Sequence, residues 1–203
     1  MTALLFDEHS VRDNTPVLLE LPHEMDDQAF YAFCRRNDQL RLERNPDGTI
    51  IIMPNTGGKT GKRNADINFE LVLWNREYQK GVVFDSSTAF KLPNFAVRSP
   101  DAAWISDQRW NSLTEDEQER FPPIAPDFVV ELMSTTDVLK KAQEKMLEYI
   151  ANGVQLAWLI DPSSQIVFIY RADGTISKIT DFNVSLSGEE LLPQFEFSLK
   201  LLL

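Results

Sequence analysis

The residues of this chain that could do chemistry are carboxylates and lysines. Glu131 sits inside the apolar run FVVELM. A carboxylate there is costly unless it is paired, hydrogen-bonded or bound to a metal. A glutamate at a strand edge facing solvent, or one satisfied by a buried arginine, is the ordinary alternative. Asp101 follows Pro100 and opens a second strand-like run, AAWIS. Lys145 lies on TTDVLKKAQEKMLEYIANG, the clearest helical pattern in the chain. It shares a face with Val138, Lys141 and Tyr149 at spacings of three and four. A helix that returns over its own strand can carry such a lysine back to the strand's carboxylate. Solvation is the usual fate of a helical lysine.

Other chemistries have less to stand on. Cys34 is the single cysteine, and His9 and His23 are the two histidines, both ahead of the first strong periodic segment. That disfavours a Ser-His-Asp triad, a histidine-ligated metal and a multi-cysteine zinc site. Cys34 reads as a small buried hydrophobe. The segment GGKTGKR contains GKT, but a phosphate-binding P-loop needs a glycine five residues before Gly58, and that residue is Met53. A weaker reading survives. Lys59, Lys62 and Arg63 cluster in a glycine-rich loop ahead of a helix N-terminus, where amides and the helix dipole favour phosphate. A plain surface loop is the alternative.

The elements that must position these residues follow from periodicity. Asp26 is a candidate N-cap for a short helix bearing Phe30 and Phe33 on one face. QLRLER and TIIIMP flank a PDG turn and suggest a hairpin. Ile67, Leu71 and Trp74 mark a first long helix over 62–79, stopped near Gly81. VVFDSS, TAFKLPN and SPDAAWIS read as strands, with a short helix expected from Thr114. PDFVVELMS is a strong strand, followed by the Lys145 helix with Leu139, Met146 and Ile150 on its apolar stripe and Gly153 at its end. QLAWLID, QIVFIYR and TISKIT are three more strands, and LLPQFEFSLKLLL reads as extended. This order predicts a single α/β domain over residues 1–203 with a mixed sheet, residues 1–25 forming a peripheral segment. The trend from 203 residues and 43% hydrophobic content is toward one core without staples. A net charge of −11 excludes a protein that coats nucleic acid non-specifically. No apolar run reaches membrane-spanning length, the start lacks the basic region of a secretory signal, and a cytoplasmic setting is expected.

Taken in order, SPDAAWIS, PDFVVELMS, K-x3-Y-x3-GV and AWLIDP, with TGGKTGKRN ahead of the first long helix, resemble the Uma-type family of restriction-endonuclease-like proteins. That family lies within the PD-(D/E)XK nuclease superfamily. The resemblance runs from about QLRLER to LLPQFEFSL. It implies a restriction-endonuclease-like mixed sheet flanked by helices, a divalent metal (Mg²⁺ or Mn²⁺) and DNA as the partner. Asp101 matches the PD aspartate and Glu131 the acid of the (D/E)XK motif, which makes these two the expected metal ligands. The motif lysine would fall at Met133; Lys145 matches a position to which that lysine has migrated. Lys141 departs from the acidic residue that relatives carry. With the carbonyl of Leu132, two carboxylates could hold Mg²⁺ by hard oxygen ligation. The lysine could then stabilise hydroxide and the charge developing on phosphorus. Asp101, Glu131 and Lys145 are thus the expected catalytic residues. A helix acid often completes such sites, and Glu70 is preferred over Asp66 for it, with helix-surface charge the alternative. Nucleases of this fold often pair to cut two strands, so a homodimer is the expected assembly.

The leading expectation is a Mg²⁺-dependent endonuclease hydrolysing DNA phosphodiesters. The alternatives are a catalytically degenerate nuclease fold acting as a nucleic-acid-binding or regulatory module, and an acidic interaction protein. Whether Asp101, Glu131 and Lys145 converge in one cleft separates them.

Overall fold

A computed structural model describes residues 16–20 and 25–203. Val17–Leu19 (β1) leads to the helix Asp27–Arg36 (α1), capped by Asp26, whose carboxylate accepts from the Ala29 amide at 2.7 Å. The hairpin Arg41–Arg44 (β2) and Ile50–Met53 (β3) follows, turning through Gly48 at a φ of 85°. Next come the long helix Gly58–Tyr78 (α2) and the strands Gly81–Asp85 (β4), Phe90–Lys91 (β5), Val97–Arg98 (β6) and Ala102–Ser106 (β7). Two short helices, Asp107–Trp110 (α3) and Glu115–Glu119 (α4), precede Phe128–Leu132 (β8) and Leu139–Ala151 (α5). The chain closes with Leu156–Asp161 (β9), Ile166–Arg171 (β10), Ile176–Ile179 (β11), Ser185–Ser187 (β12), Glu196–Ser198 (β13) and a 3₁₀ turn at Leu199–Leu202.

Six strands form the main sheet in the order β11-β10-β9-β8-β7-β4. Only β8 and β9 run parallel, because α5 carries the chain back between them. Both faces are covered. Ile67, Leu71 and Trp74 of α2 pack with Trp104, Phe128, Val130 and Trp158 on one side. Met146 and Tyr149 of α5 pack with Ala103, Val129, Met133 and Leu159 on the other. β9 is buried along its whole length, as a central strand covered on both faces must be. A second, five-stranded sheet, β1-β3-β2-β6-β5, carries α1 through Phe30, Leu42, Ile50 and Val97. The architecture is therefore mixed α/β with sheets flanked by helices.

Several elements differ from expectation. α2 begins at Gly58, so Lys59, Lys62 and Arg63 lie on its first turns and not in a loop. Contacts that sequence periodicity does not register hold those turns: Lys62 Nζ donates to the Leu201 carbonyl at 3.1 Å and Arg63 Nε to the Leu202 carbonyl at 2.7 Å. α2 stops at Gln79, which takes the left-handed conformation, and not at Gly81. Gly81 serves a close approach instead, since a Cβ there would overlap the Ile105 carbonyl and the Trp104 ring. The C-terminal segment, expected to be extended, ends in the 3₁₀ turn. Of the expected peripheral segment 1–25, residues 1–15 and 21–24, with His9 and His23, lie outside the described residues; Val17–Leu19 pairs with β3 as an edge strand. No helix among the described residues is long and apolar enough to cross a membrane.

Candidate active site

Asp101 is positioned by sheet register. β7 and β8 are antiparallel with Ala102 opposite Val130; Asp101 immediately precedes that pair on one strand and Glu131 immediately follows it on the other. Pro100 has no amide to pair, and the strand begins at Ala102, just after the aspartate. Asp101 is then fixed from three sides. Its Oδ2 accepts the Leu132 amide at 2.8 Å, its Oδ1 accepts Asn64 Nδ2 at 2.8 Å, and its backbone carbonyl accepts Asn68 Nδ2 at 2.9 Å. Asn64 and Asn68 are one turn apart on α2, on the face that Ile67 and Leu71 direct into the core.

Glu131 points to the α5 face of the sheet, as do Val129 and Met133. The Lys145 ammonium lies 2.8 Å from Glu131 Oε1, and the Tyr149 hydroxyl donates to the same oxygen at 2.9 Å. Lys145 also reaches Glu43 Oε1 at 3.1 Å. Glu43 is on β2 of the smaller sheet, is 4% exposed and accepts the Ser99 amide at 3.0 Å. Buried Arg98 stands 3.6 Å from Glu43 and forms a close pair with Glu148, its Nε 2.6 Å from Oε2.

Three carboxylates around one lysine set the electrostatics. Desolvation pushes Glu131 up, Lys145 opposes it, and the Asp101 and Glu43 charges add to it, leaving Glu131 at about 7. Desolvation also raises Asp101, against the Leu132 amide and the Lys145 charge. Glu43 goes the other way. Burial alone would raise it, but Lys145, Arg98 and the Ser99 amide outweigh burial and hold it below the ordinary glutamate value. Desolvation disfavours the Lys145 ammonium, yet the Glu131 and Glu43 charges win and keep it protonated.

A divalent cation fits this arrangement. Both hydrogen bonds to Glu131 go to Oε1, and among the described residues Oε2 accepts none. Each Asp101 oxygen accepts one bond and keeps a second lone pair. The amide oxygens of Asn64 and Asn68, beside Asp101, are buried acceptors without a partner among the described residues. All donors are hard oxygens, the set that suits Mg²⁺ or Mn²⁺. No three His, Cys, Asp or Glu side chains among the described residues are grouped to hold a metal by themselves; Asp101 and Glu131 are two carboxylates that could do so with backbone oxygens. Glu43 shares the Lys145 ammonium with Glu131.

Lys145 meets Glu131, and Asp101 meets the Leu132 amide next to Glu131. Glu70 does not join them. At 3.6 residues per turn it lies about 120° round α2 from Asn64, and the α2 side chains that reach Asp101 are amides. Asp66 pairs with Lys62 instead, at 3.1 Å. Lys62 and Arg63 are committed to the Leu201 and Leu202 carbonyls, which leaves Lys59 as the cation of that cluster with neither a side-chain hydrogen bond nor an ion pair among the described residues. Lys141 is exposed, as is Lys140, which pairs with Glu144. Sequence reasoning missed Glu43, Asn64 and Asn68. The two asparagines carried a faint signal, as polar residues on the buried stripe of a helix.

No curated protein matches the chain in sequence. Among solved structures the chain is similar in fold to a crystal structure described as a putative nuclease belonging to DUF820 from Anabaena variabilis. That likeness has a TM-score of 0.68 at 22% identity and covers 79% of this chain and 88% of that one. The family model described as "Uma2: Putative restriction endonuclease" matches residues 27–200, and the chain belongs to that family.

Proposed function

We propose that the protein is a divalent-metal-dependent endonuclease that hydrolyses DNA phosphodiester bonds. The observation that supports this reading is the grouping of three side chains where β7 starts and β8 ends: Asp101 fixed by the Leu132 amide, Glu131 next to Leu132, and Lys145 at 2.8 Å from Glu131. Restriction-endonuclease-like proteins generally use divalent metals, and the matched family name gives the substrate class.

Asp101, Glu131 and the Leu132 carbonyl would hold the cation. Bound there, a divalent ion supplies Lewis acidity at the scissile phosphate and lowers the pKa of the attacking water. The protein's own groups do the rest. Asn64 and Asn68 keep Asp101 from rotating away. Tyr149 and Lys145 occupy Glu131 Oε1, so that Oε2 would be the oxygen to hold the cation. The Lys145 ammonium stabilises the charge that grows on the phosphoryl oxygens. Lys59, at the start of α2, would meet a phosphate further along the DNA strand.

Incubating supercoiled, linear and branched DNA with the protein and Mg²⁺ or Mn²⁺, beside Glu131→Ala, tests the proposal. Metal-dependent cleavage lost in the variant is the expected result. Equal cleavage by both proteins, or none by the parent with either metal, would turn the reading to a nuclease fold retained for binding.

A further inference from the structure

Glu43 has no part in the mechanism above, yet it is the most deeply buried carboxylate of the cluster at 5% side-chain exposure. It belongs to the smaller sheet and contacts Lys145 from 102 residues away in sequence. Its Oε1 accepts both Lys145 and the Ser99 amide, and Ser99 is two residues before Asp101. One oxygen therefore ties the lysine to the segment that carries the aspartate. Its Oε2 faces Arg98, and Arg98 grips Glu148, one helical turn beyond Lys145 on α5. Glu43 is thus held by Lys145, the Ser99 amide and the Arg98 charge together.

This arrangement answers a problem set by the lysine's origin. A lysine two residues after Glu131 would be held by the strand itself. Lys145 comes from a helix on a flexible four-carbon stem. Glu131 alone is a poor anchor, because a divalent cation would draw on the same carboxylate and repel the ammonium. We propose that Glu43 is the positioning residue for Lys145, holding its ammonium in place when Glu131 is engaged by a divalent cation; this rests on the metal-dependent reading. Glu43 thus keeps the cluster's lysine and its metal side by side.

The test is the rate at which an acetyl N-hydroxysuccinimide ester modifies Lys145, followed by peptide mass spectrometry, with the exposed Lys140 as internal reference. In the parent, Lys145 should be slow and should stay slow when Mn²⁺ is added. Unmasking by Mn²⁺ would mean that Glu131 is the only anchor and would overturn the proposal. In Glu43→Gln, which keeps an acceptor for Ser99 but no charge, Lys145 should react roughly tenfold faster with Mn²⁺ present, equivalent to about 1.4 kcal/mol. A parent-like rate in that variant would also overturn it. Circular dichroism checks that Glu43→Gln is folded; if it is not, the parent with and without Mn²⁺ decides. Calorimetry with Mn²⁺ separates the two readings. If the parent binds no Mn²⁺, the metal-dependent function fails, and faster labelling of metal-free Glu43→Gln still supports Glu43 as the anchor while an unchanged rate overturns it.

Discussion

Lys145 reaches Glu131 at 2.8 Å from a helix, while the strand position two residues after Glu131 is filled by Met133, 7% exposed among Val129, Met146 and Tyr149. The two facts are linked. An apolar side chain at 133 completes the packing of α5 on the sheet, and the packed helix then delivers the lysine. An ammonium placed at 133 would lie in that apolar layer at the cost of desolvation. Met133→Lys in a Lys145→Met background should therefore lose stability and not regain function. Urea unfolding and cleavage assays on the double variant check this.

The raised Glu131 pKa makes a pH prediction. A carboxyl held above its ordinary value stabilises the fold fully below the ordinary value, and the contribution is lost as pH rises through the folded value. For Glu131 in metal-free protein the loss falls between 4.5 and about 7. Glu131→Gln removes this loss, so its stability should fall less than the parent's across that window, by at most about 3 kcal/mol. Urea midpoints on either side of the window read the difference. Parallel pH profiles for parent and variant would contradict it. A divalent cation competes with the same proton, so Mg²⁺ should stabilise the parent more above the window than below it.

Asn64 holds Asp101 Oδ1 at 2.8 Å and is not itself an acid. Replacing it by alanine frees the carboxylate to rotate. Partners of this kind commonly change metal affinity by about 10–100-fold. Asn64→Ala should weaken Mn²⁺ binding within that range, as measured by calorimetry. Glu70→Gln should leave it near the parent value, because Glu70 is on another face of α2.

The basic cluster at the start of α2 divides into two roles. Arg63 and Lys62 bind the Leu202 and Leu201 carbonyls, so Arg63→Ala should destabilise the fold by about 1.5–3 kcal/mol, the range for a hydrogen bond from a charged group. Lys59→Ala should leave stability unchanged and lower the slope of DNA binding against salt by roughly 0.9. A salt titration and a melting curve on each variant distinguish the roles.

Much of this was legible in the residues themselves. The Asp26 cap, the hairpin, the short helix from Thr114 and the strand–helix–strand unit from Phe128 to Asp161 follow from spacing and local chemistry. Glu131 stood out because a carboxylate in an apolar strand must have partners. Glu43 did not, because its strand reads as an ordinary alternation; β6 pairs along its edge and Lys145 of α5 meets Glu43, and Leu42, Glu43 and Arg44 are all buried. The start of α2 was hidden by three glycines, Gly57, Gly58 and Gly61, of poor helix propensity. Contacts to the far C-terminus outweigh that propensity, and no local pattern encodes them.

Single-turnover cleavage of DNA with saturating Mg²⁺, comparing Lys145→Met and Lys141→Met with the parent, tests the central claim most directly. If Asp101, Glu131 and Lys145 form the active site, Lys145→Met should lose roughly a hundred- to a thousand-fold in rate, about 2.7–4 kcal/mol of transition-state stabilisation. Lys141→Met, altered on the exposed side of the same helix, should stay near the parent. Equal rates for Lys145→Met and the parent would mean that the buried lysine only neutralises carboxylates, and the account of this site as a nuclease centre would be wrong.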